Sequence, residues 1–191
     1  MSLLDKIKQV LQSVRGLTTI SAATAASNVI GAIFWFSIAG ILGTEQYGQV
    51  SYLLAIGIIA SKLSLIGSSN TLMVYVAKGV KIQSAIFVSS ISSSIIASLV
   101  VYFLFLNNVG VSVYILGFVF FTLITYDVLG KKDYKQYAKY FISQKILLVI
   151  FSISFFYIIG FEGVILGIGL SFIPYVIMVI KEIRKTKMCF N

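Results

Sequence analysis

Apolar residues in this chain fall into six long runs, separated by short polar or glycine-rich punctuation. The first, Thr18 to Leu42, carries no charge and would be about 37 Å long as a helix, enough to cross a bilayer. Gly43-Thr44-Glu45-Gln46-Tyr47-Gly48 interrupts it. The second run starts near Val50, contains Lys62 and ends near Ala77; Gly67-Ser68-Ser69-Asn70 lets it form either one tilted helix or a broken one. Three more runs cover roughly Ser84 to Leu106, Val111 to Gly130 and Ile142 to Ile159. The sixth follows the turn Gly160-Phe161-Glu162-Gly163 and reaches about Ile180, with a kink expected at Pro174. The stretch Lys131 to Tyr140 reads as a basic-aromatic loop anchoring at headgroup level.

The expected fold is therefore all-α: a polytopic membrane protein with six transmembrane helices in one bundle. Residues 1–17 read as an amphipathic cytoplasmic segment, 18–181 as the bundle and 182–191 as a basic cytoplasmic tail. In the first segment Ser2 and Asp5 resemble a capping box, and Leu3, Ile7, Val10 and Val14 recur at helical spacing. Small residues four apart (Ala23, Ser27, Gly31 and Gly163, Gly167, Ser171) predict faces where helices approach closely. Ala85, Ser89, Ser93 and Ala97 form a third such face, with Ser90, Ser94 and Ser98 beside it.

Composition agrees with the pattern. Hydrophobic residues make up 59% of the chain and charged ones 11%, too few to cover a soluble surface. The net charge of +9 does not imply nucleic acid, because the basic residues gather at helix ends. Lys and Arg occupy alternate connections, whereas those between runs one and two, three and four, and five and six hold only Glu45 and Glu162 as charges. By the positive-inside bias both termini are cytoplasmic, and the cell membrane is the expected location. With no histidine, one cysteine (Cys189) and six scattered acids, neither a metal site, a cofactor site nor an acid–base enzyme is indicated.

Four residues are candidates for binding substrate. Lys62 sits about 18 Å into its helix, where a cation is costly unless paired or hydrated; it lines a polar cavity or snorkels to the headgroups. Asn28 lies at a similar depth and bonds either a neighbouring helix or a substrate. Ser89 and Ser93 wall a hydrated cavity or are simple close-packing residues.

Ile41-Leu42-Gly43-Thr44-Glu45-Gln46-Tyr47-Gly48, with Leu53-Leu54-Ala55 and Leu65-Ile66-Gly67 after it, resembles the N-terminal signature of the Wzx-like polysaccharide-biosynthesis flippases. These belong to the multidrug/oligosaccharidyl-lipid/polysaccharide exporter superfamily. The matching positions are Leu42, Gly43, Tyr47, Gly48 and Gly67, and the similarity covers about residues 18–77. It implies a half-size or truncated transporter that flips polyprenyl-pyrophosphate-linked oligosaccharides, with membrane lipids around it. It also implies a second six-helix bundle as partner, from another copy or a separate chain. The rival expectation is a non-transporting accessory or truncated membrane protein that only packs against partner helices.

Overall fold

Gly43 organises the first third of the molecule. In the computed structural model, which describes residues 3–103 and 108–186, α1 (Leu3–Leu65) contains this one residue with non-helical geometry, φ 72° and ψ 175°. A straight helix would set Trp35 and Tyr47 about 18 Å apart along its axis. Their rings instead meet edge-on at 6.1 Å between centroids. The helix therefore folds back into two limbs, 3–42 and 44–65. The six-residue interruption expected from the sequence is in fact one residue long. Such a backbone conformation is open to glycine almost alone, and Glu45 follows at once, where a carboxylate favours a helix start.

The other described elements are α2 (Ser68–Ala77), α3 (Gln83–Val101), α4 (Val109–Gly130), α5 (Tyr134–Ile159), α6 (Phe161–Leu170) and α7 (Ile173–Thr186). No strand occurs among the described residues. Five stretches are long and apolar enough to cross a membrane; the first, Gly16–Leu65, has 50 residues, and the last, Phe161–Arg184, joins α6 to α7. The second run breaks at Ile66 and Gly67, both with positive φ. The last breaks at Ser171–Phe172, and Pro174, in the first turn of α7, has no N–H with which to bond the Leu170 carbonyl and continue α6.

Contacts between helices set their directions. Gly16 lies against the Tyr134 ring and Gly31 near Lys145, so limb 3–42 runs parallel to α5. Gly57 abuts Tyr114 and Lys62 lies over Phe118, so limb 44–65 runs parallel to α4. Ser98 and Ser112 exchange hydrogen bonds, and Gln83 at the start of α3 bonds Asp127 near the end of α4, so α3 and α4 are antiparallel. Gly43, Asn108 and Gly160 thus share one end of the bundle. Gly130, packed on Val76, and Lys131, paired with Glu182, mark the other. α4 is the central strut: Val111, Ile115, Val119 and Leu123 are fully buried along its length.

Several boundaries differ from expectation. Residues 3–17 continue into the first apolar run as unbroken helix rather than forming a separate element. Ser2 and Cys189 lie outside the described residues. The expected loop 131–140 shrinks to three residues, because the Asp133 side chain caps α5 by accepting from the Gln136 N–H at 3.1 Å. The seam Gly163–Gly167–Ser171 is filled from within the chain. A Cβ on Gly167 would come 2.6 Å from the Phe151 carbonyl, so α5 already occupies that face.

Candidate functional site

A cavity of about 660 Å³ lies between limb 44–65, α4, α5 and α6, with Trp35 as the contribution of limb 3–42. Its walls carry two cations. Lys62 enters from limb 44–65, and its Nζ sits 5.2 Å from the centre of the Phe118 ring. Lys145 enters from α5 and is half-buried. Among the described residues neither lysine has a carboxylate partner; the ion pairs all involve Lys131. An aromatic face lies on a lysine with a benefit of about 0.5–2 kcal/mol, which holds the Lys62 head without neutralising it.

The rest of the wall is aromatic and preformed. Phe172, at the break between α6 and α7, touches Tyr114, Phe118 and Phe121 at 6.0, 6.3 and 5.5 Å between centroids. Phe121 in turn meets Phe141 of α5 at 5.4 Å. Gln144 adds a buried amide whose nitrogen donates to Ser171 Oγ at 3.2 Å; Ser171 donates onward to the Ile168 carbonyl at 2.6 Å. That chain of bonds ties the break in the last helix to the cavity wall. Two uncompensated cations on a rigid aromatic surface suit an anionic group attached to something with apolar or ring faces.

Of the four residues singled out in the sequence, Lys62 alone lines this cavity. Asn28 is exposed on limb 3–42. Ser89 is exposed and donates to its own Ile86 carbonyl at 3.1 Å, while Ser93 is half-buried. The packed face of α3 is the adjacent one, with Phe87, Ser90, Ser94 and Ser98 buried. Among the signature residues, Gly43 makes the turn, Tyr47 lines the cavity, Leu42 is buried, Gly48 faces open space and Gly67 begins α2. Lys145 is the residue sequence reasoning missed. An apolar run read as starting at Ile142 leaves Lys145 at the edge of its span, yet α5 starts at Tyr134 and carries it about 16 Å inward. Asp133 followed by Gln136 three residues later is the helix-start signal that places it.

At the basic end Lys131 bridges Asp127 of α4 and Glu182 of α7, each at 2.6 Å. Burial works against its charge, but the hydrogen bonds to the two carboxylates outweigh that, and its pKa lies above the usual lysine value. This bridge fastens α7 to the central strut. Comparison with protein-family models, curated proteins and solved structures returns no match.

Proposed function

We propose that this chain is one bundle of a membrane transporter of the Wzx-like flippase type. In this reading it crosses the cell membrane six times with both termini in the cytoplasm. The spans are the two limbs of α1 (the second prolonged by α2), α3, α4, α5, and α6 with α7. The substrate is a polyprenyl-pyrophosphate-linked oligosaccharide, and a second bundle, from another copy or another chain, closes the passage by alternating access. The chain acts without covalent catalysis.

The observation that carries the reading is the pairing of Lys62 and Lys145 in one aromatic cavity without an acid to neutralise them. A cation held at membrane depth is costly, and a recurrent reason to keep one is an anionic ligand. At about 660 Å³ the cavity has the size of a headgroup site, room for a pyrophosphate and the nearest sugar rather than a whole glycan. Orientation follows from charge: Lys78, Lys81, Lys131, Lys132, Lys135, Lys139 and Lys181 gather at one end, and Glu45 and Glu162 at the other.

Glycan export in cells tests this. The pair Lys62→Leu and Lys145→Leu should abolish export while membrane levels stay normal, and Lys62→Arg with Lys145→Arg should retain part of it. Normal export with both leucines would overturn the proposal.

A further inference from the structure

A second cavity, of about 510 Å³, opens between α5 and α7 at the basic end and is separate from the site above. Along its α5 wall Lys135, Lys139, Ser143 and Leu147 recur every fourth residue over about 18 Å of helix, with Gln136 and Tyr140 beside them and Gln136 Nε2 donating to Tyr140 Oη. This row grades from two exposed lysines at the helix start to an apolar side chain deeper in. Opposite them α7 presents Pro174 and Met178.

The polar groups at the base of this groove are already engaged with one another. Ser143 Oγ and Tyr175 Oη lie 2.8 Å apart, and Tyr175 Oη donates to the Tyr140 carbonyl at 2.8 Å. The Tyr140 and Tyr175 rings meet at 5.5 Å and seal the floor. Asp133, the acid on the rim, accepts from the Gln136 N–H as the cap of α5. What remains for a ligand is two ammonium groups above an apolar slot. Among the described residues neither Lys135 nor Lys139 is in an ion pair. Lys135 also stands in the first turn of α5, where the helix dipole disfavours a cation and favours an anion.

We propose that this groove binds one anionic phospholipid from the leaflet at the basic end. Its phosphate lies between Lys135 and Lys139, and an acyl chain follows Leu147, Pro174 and Met178. The spacing of charge over apolar wall matches the order of a lipid, headgroup outside and chain inside. This inference needs only that the helices lie in a bilayer; it does not depend on what the larger cavity carries.

Native mass spectrometry of the chain purified in mild detergent tests it, with phosphatidylglycerol, phosphatidylcholine or inorganic phosphate added. One tightly held phosphatidylglycerol per chain is expected, in preference to phosphatidylcholine. Lys135→Gln with Lys139→Gln should weaken it about tenfold or more, the scale for losing two interfacial cations. Lys78→Gln with Lys81→Gln, which removes equal charge outside the groove, should leave binding unchanged. Leu147→Trp, which fills the slot without changing charge, should block binding, and Met178→Trp repeats that test from the other wall. Equal loss in the Lys78/Lys81 variant, or equal retention of the two lipids, would reduce the effect to surface charge and overturn the proposal. Displacement by millimolar phosphate, or undiminished binding in both tryptophan variants, would remove the acyl-chain seat and overturn it as well.

Discussion

Two hairpins in this molecule turn on the same device and close to different degrees. Gly43 joins the limbs of α1 with φ 72° and ψ 175°; Gly160 joins α5 to α6 with φ 84° and ψ −150°. Each is a one-residue connection followed within two residues by a glutamate, Glu45 or Glu162, in the first turn of the next helix. Past Gly160, small residues at 163 and 167 let the backbones touch, and Gly163 rests on the Phe155 carbonyl. Past Gly43, Trp35 and Tyr47 meet instead, and Gly40 and Gly48 have nothing near them. The difference teaches that the turn sets direction only. The residues three to eight positions from it decide whether a hairpin is solid or leaves a cavity, and here the open hairpin borders the site with the two lysines.

Overfilling the closed hairpin is the harshest way to break this comparison. Gly167→Leu forces a branched side chain into the Phe151 backbone and should cost about 3 kcal/mol or more, seen as lost recovery or a lower Tm in detergent. An unchanged Tm would mean that α5 and α6 do not close there. Gly43→Ala and Gly160→Ala should each cost about 1–3 kcal/mol, because both put a Cβ on a glycine-only conformation. Unequal losses would show that the two turns are not the same device. The smallest effect belongs to the open hairpin: Gly40→Ala and Gly48→Ala meet no atom within 4 Å and should gain up to about 1 kcal/mol from helix propensity. A loss at either position would show the limbs in contact.

Most of the helical layout was legible in the sequence, and the site only in part. The apolar runs, the glycines that punctuate them and the alternation of basic and acidic ends all appear as linear patterns. Turn length did not, because a glycine with positive φ can reverse the chain in one residue, and only backbone geometry reveals that it does. The serines of α3 misled for a different reason. They occupy two adjacent faces, so hydropathy gives no direction, and the burial of Phe87 and Val101 selects Ser90, Ser94 and Ser98 over Ser89 and Ser93. Asn28 was placed by depth, which says nothing about the azimuth of a side chain. Lys145 is obscured because the apolar run begins at Ile142, eight residues after α5 itself does. The Asp133 cap carried the correction, and with it half of the site's positive charge.

The one-residue turns also decide where this protein can be handled. A protease must draw several residues of extended chain into its cleft, and an inserted tag needs backbone whose hydrogen bonds are dispensable. Neither Gly43 nor Gly160 offers such a stretch, since helix begins again at the next residue on both sides. At the opposite end the connection through Gly79, Val80 and Lys81 is non-helical and exposed. An epitope placed there leaves every hairpin intact, whereas the same insertion at Gly43 would part the limbs that frame the lysines.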